Sequence, residues 1–116
     1  MLRISLMAAA LFGLNMFAGA AAQATEVKQV FDFYCAQCHG TDGKGGGVNV
    51  TKDIATTPRD FTNKVDMAKR TDDDIRTVIK GGGPSISKSA LMPPWGKTIS
   101  DADVELLVTY IRAFAK

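Results

Sequence analysis

Both cysteines and the single histidine of this chain lie within five residues, Cys35-Ala36-Gln37-Cys38-His39. Residues three apart on a helix lie on one face about one turn apart, so both thiols can reach the same edge of a flat molecule. This spacing is the attachment signature of c-type haem, with two thioether links to the porphyrin and one axial bond to iron. The motif therefore predicts one covalent haem c attached at Cys35 and Cys38, with His39 as proximal ligand.

Other uses of the two thiols fit the surrounding sequence less well. A thioredoxin-like redox pair needs a βαβ setting, and no strand pattern surrounds this stretch. A structural zinc site needs about four ligands, and the Cys and His residues supply three at most. A disulfide between Cys35 and Cys38 would close a very small loop and leave His39 without a role.

The N-terminus predicts export. Arg3 is the only charged residue before Glu26, and it is followed by an apolar run over residues 4–18 and a small-residue zone that ends at Ala24. A positive start, a short apolar run and small residues are typical of a secretory signal peptide, here residues 1–24. A retained membrane anchor is the alternative, but the run is short for one. We expect a periplasmic protein with no stable membrane insertion after cleavage.

Residues 25–116 are then long enough for one small domain. Without Arg3 the chain has 13 basic and 12 acidic residues, so two ionised haem propionates would bring the net charge to −1. This balance gives no reason to expect nucleic acid as a partner. A domain of this size usually gains from a cofactor in its core. We expect a monohaem domain that is monomeric.

Three helices are predicted in this domain. Apolar residues at i, i+3, i+4 and i+7 indicate a helix from Thr25 to Cys38, which delivers the cysteines. A capping-box pattern at Thr71 begins a second helix, which the glycines at 81–83 end. A similar cap at Ser100 begins the third, whose broad apolar face is expected to pack on the first helix and on the haem. The predicted fold class is all-α.

Two loops complete the candidate site. Five of the eight residues over 40–47 are glycine, which lets the backbone approach a flat ligand closely. A phosphate-binding loop is the alternative, but the Gly-Lys-Ser/Thr ending is absent. In the second loop, Pro93 and Pro94 hold Met92 on a stiff extended segment, which favours Met92 as the distal iron ligand. The competitor, Met67, lies in a polar stretch and is expected to pack in a core.

The roles of two further polar side chains stay open. Arg59 either bonds a haem propionate or remains solvated. Trp95 either donates its indole N–H to a propionate or only packs its ring in the core. Phe61 is expected to be a core residue.

In this order, the elements of residues 25–116 resemble those of a class I cytochrome c. The chain resembles the small bacterial monohaem members with a Cys-His-Gly-x-Asp-Gly-x-Gly loop, here residues 38–45. The resemblance implies a cytochrome c fold, with three to four helices wrapped around one covalently bound haem. The implied haem contacts are thioether links at Cys35 and Cys38 and axial bonds from His39 and Met92.

The resemblance also concerns the packing around the haem. It implies a contact between the first and last helices through Phe31 and Tyr110. Many members have glycine where this chain has Val27, so the crossing of those helices is expected to be looser or shifted. Many have proline where this chain has Val48, and the Val48 carbonyl is expected to accept a hydrogen bond from the proximal imidazole instead.

The predicted function is that of a periplasmic one-electron carrier, which is not an enzyme. Its partners would be redox proteins that act as electron donor and acceptor. The alternative is a dedicated haem subunit of a periplasmic dehydrogenase or of a terminal oxidase or reductase complex. A haem sensor or peroxidase-like protein is a third possibility, which requires an open distal site. With His39 committed to iron, no histidine remains for acid/base catalysis.

Overall fold

The computed structural model describes residues 12–54 and 56–116 of the chain, and these residues form helices and loops without a strand. The all-α prediction is confirmed. The elements in chain order are α1 (Phe12–Tyr34), α2 (Ala36–His39), α3 (Lys64–Ala68), α4 (Asp72–Gly81), a 3-10 turn (Gly83–Ile86) and α5 (Asp101–Ala113).

The N-terminal part of the chain is described only from Phe12. The predicted signal peptide over residues 1–24 therefore lies partly outside the described residues, and α1 runs on through its last residues. Within the described ranges, no helix combines the length and the apolar character needed to cross a membrane.

The helix predicted from Thr25 to Cys38 is wrong at both ends. Helix α1 is already present at Phe12, where the described residues start, and it ends at Tyr34; the chain turns at Cys35 before the short α2. The N–H of Cys35 still donates to the Phe31 carbonyl at 2.9 Å, which closes the last turn of α1. The Cys35 carbonyl then accepts from the N–H groups of Cys38 and His39, which starts a new turn. The motif therefore lies across a helix break.

Helices α1 and α5 pack against each other through aromatic rings, as the family resemblance implied. The ring centroids of Phe31 and Tyr110 are 5.1 Å apart, and those of Phe31 and Phe114 are 5.3 Å apart. Phe31 is completely buried. Val27, one turn earlier on α1, is also buried in the core, so the fold accommodates a valine there.

The predicted starts of α4 and α5 are confirmed by their caps. Thr71 and Asp74 form a complete capping box, in which each side chain accepts from the other residue's backbone N–H. The Ser100 hydroxyl accepts from the Asp103 N–H at 3.1 Å. These contacts satisfy N–H groups that have no partner within the helix.

Helix α3 was not predicted. The side chain of Asn63 caps it by accepting from the Asp66 N–H at 3.1 Å, and Met67 points its side chain into the core with 2% exposed. A five-residue helix is too short to show an apolar period. The Asn-x-x-Asp spacing was the available signal, because it matches a helix N-cap.

Arg112 of α5 connects the C-terminal end of α3 to the start of α4. Its guanidinium donates to the Met67 carbonyl at 2.8 Å, to the Arg70 carbonyl, and to the Asp72 carboxylate at 2.7 Å. The planar fork of arginine is suited to several fixed acceptors at once. Arg112 thus fixes the segment that carries Met67 to the last helix.

We expect Arg112→Lys to lower the free energy of unfolding by about 2 kcal/mol, because one ammonium group cannot serve three separated acceptors and leaves a part-buried carbonyl without a donor. Urea unfolding followed by circular dichroism measures this change. Arg76→Lys is the matched control, since the partners of Arg76 among the described residues are the exposed Asp73 and Glu105 carboxylates. Equal losses in the two variants would contradict the special role of Arg112.

Candidate haem-binding site

One large cavity of about 600 Å³ contains all four predicted site residues in its wall. Cys35, Cys38 and His39 come from the α1–α2 junction, and Met92 comes from the loop after the 3-10 turn. The wall is mostly apolar, which is typical of cofactor sites with a few placed polar groups. Met67 also lines this cavity, so a place in the cavity wall does not by itself separate it from Met92.

The two cysteines are free thiols that line the cavity. Burial raises the pKa of Cys35 to about 12, and the nearby Cys38 adds to the rise. At neutral pH the Cys35 thiol is therefore protonated. The disulfide considered above is not formed, and both sulfur atoms remain available for thioether bonds.

The His39 imidazole is fixed by a backbone carbonyl. Its Nδ1 lies 3.2 Å from the Arg59 carbonyl oxygen, so Nδ1 carries the proton and donates it. The pKa of His39 lies below its ordinary value, because burial lowers it more than this hydrogen bond raises it. The lone pair of Nε2 is thereby left free to bind a metal, as in sites where the second ring nitrogen is held by a carbonyl.

The expectation that Val48 would supply this carbonyl is wrong. Residues 47–49 run back along α2, because the Gly47 N–H donates to the Cys38 carbonyl and the Asn49 N–H donates to the Gln37 carbonyl. Val48 is turned outward and is 83% exposed. The segment that reaches His39 is instead residues 58–61.

Residues 58–61 are held against the glycine loop by close backbone contacts. The Phe61 N–H donates to the Gly43 carbonyl at 2.7 Å, and the Gly45 N–H donates to the His39 carbonyl at 2.7 Å. Gly45 has a φ of +85°, and a Cβ there would overlap the Pro58 carbonyl oxygen. The glycines thus allow the backbone approach that places Arg59 beside His39.

The Met92 loop is anchored on the end of α4. The Gly83 N–H donates to the Met92 carbonyl at 2.9 Å, and the Trp95 N–H donates to the Ile79 carbonyl at 2.9 Å. The Trp95 ring packs on Tyr34, with centroids 5.1 Å apart. The stiff segment predicted around Met92 is therefore held by hydrogen bonds at Met92 and at Trp95, and the indole ring of Trp95 contacts α1.

A family model described as cytochrome c oxidase, cbb3-type, subunit III matches residues 22–111. The chain belongs to this family. A solved structure of a c-type cytochrome, KustC0563, aligns with a TM-score of 0.61 and 26% sequence identity, over 77% of this chain and 96% of that one. A comparison with curated proteins gave no match. The protein is a small c-type cytochrome with the cytochrome c fold, so its cofactor is haem c and its chemistry is electron transfer.

The cavity of this cytochrome also has the polar groups that haem requires. Arg59 and Arg70 both line it, and the Nε of Arg70 is buried without a hydrogen-bond partner among the described residues. A buried donor on a cation needs an acceptor, and an ionised carboxylate is the strongest one. Sequence reasoning named Arg59 and missed Arg70, because the segment between α3 and α4 has no motif that marks an arginine with a buried Nε.

Proposed function

We propose that this cytochrome is a periplasmic one-electron carrier. Its single haem c is attached through Cys35 and Cys38, and the iron is held between His39 and Met92. The observation that carries the proposal is the shared cavity, in which two free thiols, one oriented imidazole and one anchored methionine line a single apolar wall. That donor set is the one used by cytochromes c.

The residues of the chain act by holding the ligands still. The Arg59 carbonyl orients His39, and the Gly83 N–H holds the backbone of Met92. Haem supplies the redox step, the uptake and release of one electron by iron. With both side chains held in place by the chain, His39 and Met92 would stay bound in both oxidation states, and methionine ligation would favour a higher reduction potential.

The two arginines in the cavity wall give the propionates their counter-charge. Arg70 offers a buried N–H that lacks an acceptor, and Arg59 lies on the segment next to His39. Charge-assisted hydrogen bonds of this kind are about twice as strong as neutral ones. Trp95, with its ring against Tyr34, is a further candidate donor.

Location and partners follow from the N-terminal pattern and from the balanced charge. A signal peptide over residues 1–24 would place residues 25–116 in the periplasm, where reduced donor proteins deliver electrons and acceptors remove them. The near-neutral net charge gives no reason to expect nucleic acid as a partner, which leaves redox proteins as the proposed donor and acceptor.

We expect Met92→Leu to change the iron site and Met67→Leu to leave it unchanged. Leucine keeps the volume of methionine but removes the thioether sulfur. Met92→Leu should therefore give a high-spin ferric spectrum at neutral pH, carbon monoxide binding when reduced, and a lower potential. Met67→Leu should keep the low-spin spectrum of the parent protein. The reverse pattern would assign the distal ligand to Met67, and a high-spin parent protein would refute the carrier function.

The family match favours one second candidate, a dedicated haem subunit of a terminal oxidase. The matching model is described as a subunit of a cbb3-type cytochrome c oxidase. Both functions use the same His39/Met92 site, so spectra do not separate them. Purification from the native host does: a stoichiometric partner that stays bound through gel filtration supports the subunit, and a free monomer supports the carrier.

A further inference from the structure

The aromatic ring of Phe61 lies flat against the imidazole of His39. The ring centroids are 4.5 Å apart and the planes differ by 14°. Phe61 is buried, with 8% of its surface exposed. A nearly parallel stack at this distance is among the preferred geometries of aromatic pairs. The face of the ligand imidazole is therefore covered by a second planar group.

Phe61 has little freedom to move away from this position. On one side its backbone is held by the Gly43 carbonyl. On the other side its ring meets Phe31 edge-on, with centroids 6.4 Å apart, and Phe114 at 6.2 Å. Close-packed cores transmit such constraints, because a ring can shift only if its neighbours shift too. The phenyl ring thus connects the hydrophobic core to the face of His39.

The side chain of histidine does not fix its own plane. Its outer torsion, between an sp³ and an sp² carbon, has broad minima, so the ring orientation depends on outside contacts. The Arg59 carbonyl restrains the ring at one edge atom, Nδ1. The hydrogen bond at 3.2 Å leaves the imidazole some freedom to rotate about the axis through Nδ1. The contact of Phe61 with the face of the ring restrains that rotation.

We propose that Phe61 is a positioning residue that sets the plane of the His39 imidazole relative to the haem. This inference rests on the proposed ligation of iron by His39, and it does not depend on Met92. Phe61 acts through His39, so its removal should alter the orientation of the axial ligand while haem stays attached. Core packing alone would not produce that result.

The test uses the ferric holoprotein with cyanide bound at the distal site. Cyanide is axially symmetric, so the spread of the four haem-methyl resonances in the proton NMR spectrum then reports the plane of the proximal imidazole. Phe61→Leu keeps an apolar side chain in the core but removes the flat face. We expect a changed order or spread of the four methyl shifts, with haem still covalently bound.

Phe114→Leu is the matched control, because Phe114 belongs to the same aromatic cluster as Phe61 and Phe31. It should lower stability and change the pattern of methyl shifts much less than Phe61→Leu does, because the ring of Phe61 stays against His39. An unchanged pattern in Phe61→Leu, or an equal change in Phe114→Leu, would overturn the proposal. Failure of the proposed His39/Met92 site is seen separately, in the spectrum of the parent protein without cyanide.

If Phe61→Leu accumulates too poorly for NMR, Phe61→Met provides a second variant with a flexible apolar side chain. The same shift in the methyl pattern is expected. A pattern identical to that of the parent protein would refute the positioning role.

Discussion

Changing both Cys35 and Cys38 to alanine is expected to abolish covalently bound haem completely. The two residues are free thiols in the cavity wall, and they are the only cysteines of the chain. Without sulfur at either position, no thioether bond to the porphyrin can form. The loss of covalently bound haem should be total. A typical single substitution, in contrast, only shifts the free energy of unfolding by about 0.5–3 kcal/mol.

The measurement is haem retention after denaturation and solvent extraction, together with the intact mass of the chain. The parent protein should retain one haem, and the double variant none. Gln37→Ala is the matched control inside the same motif, since the Gln37 side chain is exposed and its amide donates only to the Asp32 carbonyl. Haem that survives extraction in the double variant would refute attachment at these cysteines. Each single variant should still retain haem through its remaining thiol if both sulfur atoms take part.

Local patterns in the sequence predicted the parts of the fold that depend on neighbouring residues. The caps at Thr71 and Ser100 lie where their i, i+3 pairs indicated, and α4 ends at Gly81. These features are set within one helical turn, so a short stretch of sequence contains the information. Cys35 and Cys38 both line the cavity, although the chain turns at Cys35 and the two residues do not share one helix.

Contacts between distant segments were predicted less well. The carbonyl that holds His39 belongs to Arg59, because residues 58–61 pack beside His39 while residues 47–49 run along α2. Every residue has a backbone carbonyl, so no side-chain pattern marks which one will be used. The stack of Phe61 on His39 was missed for a related reason, since from sequence Phe61 is simply an apolar residue.

The resemblance to cytochromes c supplied one long-range contact that periodicity could not. The pairing of Phe31 with Tyr110 joins residues almost eighty positions apart, and the ring centroids are 5.1 Å apart. An apolar stripe predicts that a helix face is buried but does not name its partner. Neither apolar periodicity nor the family resemblance predicted that α1 extends back to Phe12 or that the helix breaks at Cys35.

Gly45→Ala is expected to lower the free energy of unfolding by about 3 kcal/mol, from a positive φ that disfavours any Cβ and from overpacking in a buried contact. Gly45 has a φ of +85°, and a Cβ would overlap the Pro58 carbonyl oxygen. The added methyl group must push the glycine loop and residues 58–61 apart. Since Arg59 lies in that segment, its hydrogen bond to His39 should weaken as well.

Gly46→Ala is a closely matched control one residue along the chain. Its added Cβ would meet no heavy atom within 4 Å, and its φ lies outside the left-handed region. A compatible Gly→Ala change reduces the freedom of the unfolded chain and raises stability by about 0.4–1 kcal/mol. Urea unfolding of the two holoproteins should therefore show a lower free energy of unfolding for Gly45→Ala and a higher one for Gly46→Ala than for the parent protein. Only Gly45→Ala should also alter the ferric spectrum, because only that change reaches the partner of His39. Equal stabilities, or a spectral change in Gly46→Ala alone, would show that the close approach of Gly45 to Pro58 does not hold the ligand in place.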